Sequence, residues 1–187
     1  MWVRFDRQDE GISSLYAFRD SLKALGDDPR YFKYCIISIH NALQAYVCIA
    51  LRQGNSFNHW KKRDLEQWLQ KYKDEDELFL PDLDRFLHLY KRLFGASDST
   101  TFDKIRWLND TRNTLIHFNI DGLSFAAETA LDCCTVAFHK VIESIGLAKG
   151  IVFYEDSQEQ EFLALKNEIE SELSQAKCIT AEHQSIQ

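Results

Sequence analysis

The chain has 187 residues, of which 45% are apolar and 13% aromatic, with two prolines and seven glycines. That length suits one domain with a hydrophobic core, and so little proline and glycine favours helices over turn-rich sheets. The formal charge of −7 resides mostly in residues 155–187, where eight acids from Glu155 to Glu182 face only Lys166 and Lys177. This excludes a protein that coats DNA by bulk charge, while the near-neutral body leaves room for a local cationic cleft.

The N-terminal run "MWVRFDRQDEG" carries charges where a secretion signal needs its apolar stretch, and no eighteen consecutive residues are all apolar, so a cytoplasmic protein without a membrane span is expected. Glycine and proline then act as punctuation. Gly11 and Gly26 bracket a helix at about 12–25, and Pro29 and Gly54 a strongly apolar one at about 30–53. A basic stretch leads into a short amphipathic helix, "KKRDLEQWLQKYK"; Pro81 opens a helix that ends at Gly95. Gly122 and Gly146 bracket another, whose polar residues Glu128, Asp132, His139 and Glu143 share one stripe. "IVFY" at 151–154 reads as a short extended piece, followed by a Glu-rich helix at about 157–176. The pattern predicts an all-α bundle over residues 1–154, with the second helix and the 122–146 helix at its centre, and an acidic C-terminal helix and tail over 155–187. The five cysteines are odd in number and lack CxxC spacing, so all are expected to be reduced and to pack as small hydrophobes.

Between Gly95 and Gly122 lies a helix at 100–118 that breaks its own pattern. Thr100 is placed as its N-cap, with Asp103 in the capping-box position. With Arg112 set at zero on a helical projection, Ile105, Leu108, Leu115 and Ile116 all fall within about 60° of it. A guanidinium therefore sits at the centre of the apolar arc, where an unpartnered charge costs several kcal/mol. On the adjoining flank come Asn113, Arg106, His117 and Asp110, with Asn113 and His117 stacked four residues apart. Two readings stand side by side. In one, Arg112, Asn113 and His117 border a cleft and receive an anion through a fixed charge, an amide and a group that titrates near neutrality. In the other, Arg112 pairs with Asp110 or an acid on a neighbouring helix, and His117 caps the helix end.

The run Arg112-Asn113-x-x-x-His117 resembles the R-N-x-x-x-H form of the R-x4-6-H signature of HEPN domains, all-helical proteins of which many are metal-independent ribonucleases. A looser match at Arg52–His59 lacks the Asn, because Gln53 and Gly54 follow the arginine. The resemblance implies a HEPN-like helical bundle with Arg112, Asn113 and His117 as catalytic residues, in a composite cleft between two copies, acting on RNA without metal or cofactor. It also implies a setting such as a toxin with its antitoxin, or phage defence. Toxins of the family that pair with minimal nucleotidyltransferases carry a tyrosine two residues past the His, where this chain has Asn119. The non-enzymatic alternative keeps the HEPN fold as a module that binds a nucleotide or a partner protein.

The apolar second helix has a polar stripe of its own, His40, Asn41 and Gln44, which either lines the same cleft or is satisfied within the core. The histidines show no HxxxH or HxH spacing, so no metal site is expected. Cys133, Cys134 and His139 share one helix, but Cys134 and His139 are out of line for a nucleophilic pair. The run "HWKKRDLEQW" reads either as a basic-aromatic surface for nucleic acid or as a solvated helix start with Trp60 and Trp68 turned inward.

Overall fold

Seven α-helices follow one another through the residues that the computed structural model describes, namely 6–53, 57–74, 79, 81–95, 98–117, 121–148, 152–153 and 156–184. They are α1 (Arg7–Ala24), α2 (Phe32–Leu51), α3 (Lys62–Lys73), α4 (Phe86–Phe94), α5 (Ser99–His117), α6 (Ala127–Leu147) and α7 (Asp156–Gln184), with a 3-10 turn at Pro29–Tyr31 leading into α2. Among the described residues there is no β-strand, only an isolated antiparallel bridge between Trp60 and Leu83. The all-α class expected from the sequence is what the chain adopts.

α2 is the centre of the bundle, in contact with α1, α4, α5 and α6. Its sequence explains this, since Ile36, Ile39, Leu43 and Val47 are fully buried and even the small Ala42, Ala45 and Ala50 are inside. Burying each of the large aliphatics is worth about 1.5–3 kcal/mol. The run Pro29–Leu51 is long and apolar enough to cross a membrane, but 78% of its apolar window is taken up by contacts within the bundle. α6 packs against α2, α5 and α7, and its stripe of Glu128, Asp132, His139 and Glu143 is exposed as expected. α7 lies along α1 and α6 and buries Phe162, Leu165, Ile169, Leu173 and Ala176, spaced three or four apart on one face. Its glutamates also fasten it: Tyr16 Oη donates to Glu161 at 2.6 Å and Arg19 to Glu168 at 3.0 Å.

Several boundaries differ from the sequence reading, each for a physical reason. α1 begins at Arg7, because Asp6 accepts from the N–H groups of Gln8 and Asp9 while Asp9 returns a bond to the Asp6 N–H. Gly11 is thus inside the helix, where a Cβ would stand 2.8 Å from the Tyr46 ring, so it serves close approach of α1 to α2 rather than a break. Pro81 does not open a helix. Residues 82–84 pair with 59–61 instead, through Lys61 N–H to Asp82 O (3.1 Å) and Asp84 N–H to His59 O (3.0 Å), and α4 starts only at Phe86. Gly95 ends α4 as expected, at a φ of 69° that favours glycine. Gly146 lies within α6, with open space around it. α5 is capped by Asp98, not Thr100: its carboxylate accepts from the Thr101 N–H at 2.8 Å, while Asp103 bonds to Arg106. Of "IVFY", only Val152 and Phe153 are described, and neither is in a strand; Gly54, Asn119 and Gly150 lie outside the described residues.

Candidate polar groove at the crossing of α2 and α5

On α5, Asn109, Arg112 and Asn113 stand at i, i+3 and i+4 and therefore share one face. Opposite them α2 presents His40, Asn41 and Gln44. Leu83–Arg85 and the first turn of α4, Phe86–His88, supply a third wall, held at Leu83 by the bridge to Trp60. Between these walls is a groove of about 480 Å³, and a second lobe of about 290 Å³ adjoins it. Arg112, Gln44 and Leu83 line both.

Arg112 is half-buried, as its position on the apolar arc requires; Ile105, Leu108 and Leu115 of that arc are buried, and only Ile116 is exposed. Its Nη1 donates to Asn113 Oδ1 at 3.1 Å and its Nη2 to Asn41 Oδ1 at 3.5 Å, while Nε is buried without a partner. Burial holds the guanidinium below its ordinary pKa. Among the described residues no carboxylate forms an ion pair with it. The pairing with Asp110 that the sequence left open is not made: Asp110 is exposed, and its Oδ1 accepts from Asn109 Nδ2 at 3.0 Å.

His40 is 1% exposed, with its ring against Phe86 at a centroid distance of 4.4 Å. Its Nε2 is 3.3 Å from Asn109 Oδ1, an acceptor, so Nε2 carries the proton and Nδ1 is left without a partner. Burial first, and the Arg112 charge second, push its pKa down to about 4, which makes it a neutral imidazole at physiological pH. The linker's carboxylate, Asp84, is occupied already: it accepts from Arg92 Nη2 at 2.7 Å, the Arg85 N–H at 2.8 Å and His88 Nδ1 at 3.2 Å. Burial pushes its pKa up, but these bonds outweigh that and hold it below the usual carboxylate value. The groove thus combines amides, a neutral imidazole and the Arg112 guanidinium, and its one acid, Asp84, is already paired with Arg92 and His88.

Of the residues singled out in the sequence, His40, Asn41, Arg112 and Asn113 come together here, Asn41 on the side of the second lobe. His117 and Asp110 do not line the groove; His117 is exposed on the last turn of α5. Asn109 was missed, although its place one turn before Arg112 and Asn113 was a legible signal. The third wall and Arg7 of the second lobe had no signal, since only tertiary packing brings them in.

The other chemistry resolves simply. Burial pushes the Cys133 thiol to about 11 and that of Cys134 well above its usual value, while His139 is exposed, so they form no nucleophilic pair. Four cysteines are buried, but Cys178 is exposed and is not the core hydrophobe expected of it. Among the described residues no three of His, Cys, Asp and Glu cluster at metal-binding range. Among the described residues α3 packs on no other helix; Phe57, Trp60, Trp68 and Tyr72 cluster instead, with Trp68 stacked on Tyr72 and the other rings tilted, the tryptophans partly buried and Tyr72 62% exposed. No family model, curated protein or solved structure matches this chain, which leaves the chemistry of the groove as the ground for a functional assignment.

Proposed function

We propose that this chain is a HEPN-like, metal-independent endoribonuclease. One observation carries the reading: Arg112 holds a half-buried charge against two amide oxygens, without a described acid partner, at the wall of an open polar groove. Such a charge is costly in the empty protein and is relieved by an anion, for which the guanidinium has forked donors. In an RNA strand that anion is a phosphodiester.

In this reading the reaction is transesterification. The ribose 2′-oxygen attacks phosphorus and loses its proton to His117, and the 5′-oxygen leaves with a proton from a second histidine. The products are a 2′,3′-cyclic phosphate and a 5′-hydroxyl. Arg112 stabilises charge on the phosphoryl oxygens as the phosphorus becomes pentacoordinate, and Asn113 orients the group. A homodimer reconciles this with the geometry, because Ile116, 44% exposed, and His117 form an accessible edge through which a second copy reaches the groove. The biological setting, a toxin restrained by a partner protein or a phage-defence effector, is part of the same proposal.

The position of His117 also favours a second reading. Within one chain it stands off the groove, so that Arg112, Asn41 and Asn113 make a binding site to which His117 brings no proton shuttle, suited to a non-catalytic nucleotide-binding module. The two readings separate in one assay: single-stranded RNA incubated with pure protein in excess chelator, wild type beside His117→Ala, with detection of cyclic-phosphate ends. Cleavage by wild type alone, from a species of twice 21.9 kDa in sedimentation, supports the ribonuclease. Binding without cleavage supports the module.

A further inference from the structure

The groove continues past Arg112. The second lobe is bounded by Arg7 of α1, by Asn41, Gln44 and Cys48 of α2, and by Leu83 of the linker. Arg7 is half-buried, and among the described residues no carboxylate forms an ion pair with it or with Arg112. The lobe's one acid, Glu10, accepts from Ser14 Oγ at 3.1 Å instead. Two buried groups register the local excess of positive charge. The pKa of His59 is pushed down to about 4 by burial, then by Arg7, Arg52 and Arg92. Burial pushes the Cys48 thiol up to about 11, against the opposing pull of Arg7 and Arg52.

In a chain of net charge −7, two arginines on one small lobe without an acid partner are an unusual concentration of cations. Arg19, Arg30, Arg63, Arg92 and Arg106 are matched locally by acids, as Arg19 is by Asp20 and Glu168 and Arg30 by Asp28, whereas Arg52 and Arg85 also form no ion pair among the described residues but do not line this lobe. An arginine pair left open around a polar pocket is a site for an anion. Arg112 already faces the main groove, so the anion in the second lobe is a neighbour of the one held there. Arg112, Gln44 and Leu83 line both lobes and form the wall they share. That suits successive phosphodiesters separated by a ribose better than the directly linked phosphates of a nucleoside polyphosphate.

We propose that the lobe between Arg7 and Arg112 is a second phosphate subsite, and that the groove's ligand is a single RNA strand threaded so that consecutive phosphates lie on either side of Arg112. This rests on the reading of the groove as an RNA site. Asn41 and Gln44, whose amides line the lobe, supply neutral hydrogen bonds to the same segment of backbone.

The test is binding of a fluorescent 2′-O-methyl hexanucleotide, which lacks the attacking hydroxyl and so separates binding from cleavage, by anisotropy across a salt series. Arg7→Gln is expected to weaken binding about tenfold, the worth of one charge-assisted contact. It should also flatten the plot of log K against log salt by about 0.7, the value of one phosphate on a single strand. Arg30→Gln, an exposed charge paired with Asp28, should change neither. Arg7→Lys should keep most of the salt slope, which guards against a folding defect in the glutamine variant. Wild-type affinity and slope in a folded Arg7→Gln protein would overturn the subsite. So would ATP displacing the oligonucleotide at equal concentration in an Arg7-dependent way, because the lobes would then hold linked phosphates. If Arg112→Ala also binds like wild type, the RNA reading of the groove itself fails and the subsite with it. An oligonucleotide that binds with the Arg7 signature to a protein that never cleaves RNA upholds the subsite and removes only the ribonuclease.

Discussion

The guanidinium of Arg112 faces the side-chain oxygen of Asn41 across 3.5 Å, an amide where a buried arginine ordinarily meets a carboxylate. A structural salt bridge would make Arg112 a source of stability; here the charge meets amide oxygens and, among the described residues, no carboxylate. Replacing it with methionine, of similar length and no charge, should leave the unfolding free energy in urea unchanged or raise it by about 1 kcal/mol. RNA cleavage should be lost in that variant, and Arg112→Lys should retain little, because lysine keeps the charge without the fork. A drop in stability of several kcal/mol would reveal a structural role for the charge.

His117 makes the complementary case. It is exposed at the end of α5, so His117→Ala should alter stability by no more than about 0.5 kcal/mol. Loss of a positioned acid–base group lowers a rate by about 10²–10⁴. Single-turnover cleavage measured beside a urea melt of the same variant checks both at once, and an unchanged rate would take His117 out of the chemistry.

Acid should destabilise the fold through His40. Its pKa lies at about 4 when folded, below the ordinary value of 6.5. Above pH 6.5 it is neutral in both states and contributes no pH dependence. As pH falls below 6.5 the unfolded chain takes up the proton and the folded chain does not, so stability declines until the folded-state pKa is reached. The loss from this one residue is on the order of 3 kcal/mol. Urea unfolding at pH 7.5 and 4.5 should show it, with a shallower decline in His40→Gln. His59, also held down to about 4 chiefly by burial, should retain its share in that variant.

Gly11→Ala tests the closest approach of α1 to α2. The new methyl group would meet Tyr46 Cε2 at 2.8 Å, and Tyr46 is buried with its own ring near Phe162. Overpacking of this kind costs about 1–3 kcal/mol. Alanine's better helix propensity returns up to about 1 kcal/mol, leaving a net loss. In the Tyr46→Leu background the same substitution should cost less, and a purely additive double-mutant cycle would show that the contact is not the cause.

The thiols should divide into one fast and four slow. Cys178 is exposed, whereas burial pushes Cys35 to about 12, Cys48 and Cys133 to about 11, and Cys134 well above its usual value. An aromatic disulfide reagent should therefore label one cysteine per chain in native protein and five in urea, and Cys178→Ser should abolish the native reaction.

What the sequence determined by itself is what depends on the 3.6-residue period. The helices at the centre, the apolar arc of Ile105, Leu108, Leu115 and Ile116, and Arg112's place on it all follow from residues within a few turns of one another, and all are realised except at Ile116, which is exposed. The amide and imidazole stripe of His40, Asn41 and Gln44 was legible on the same ground. Element ends were less so, because they turn on particular side chains and neighbours: Asp6 and Asp98 capture free N–H groups, Tyr46 makes Gly11 a packing position, and pairing with 59–61 keeps 82–84 out of α4. The groove was decided by tertiary structure alone. Asn41 and Arg112 are 71 residues apart, and no periodicity relates them to the wall at Leu83–His88 or to Arg7; these meet because α2, α4 and α5 bury their apolar faces on one another, and the crossing sets which polar edges converge. The same crossing leaves His117 outside: more than a turn beyond Arg112 on α5, it is exposed and lines neither lobe.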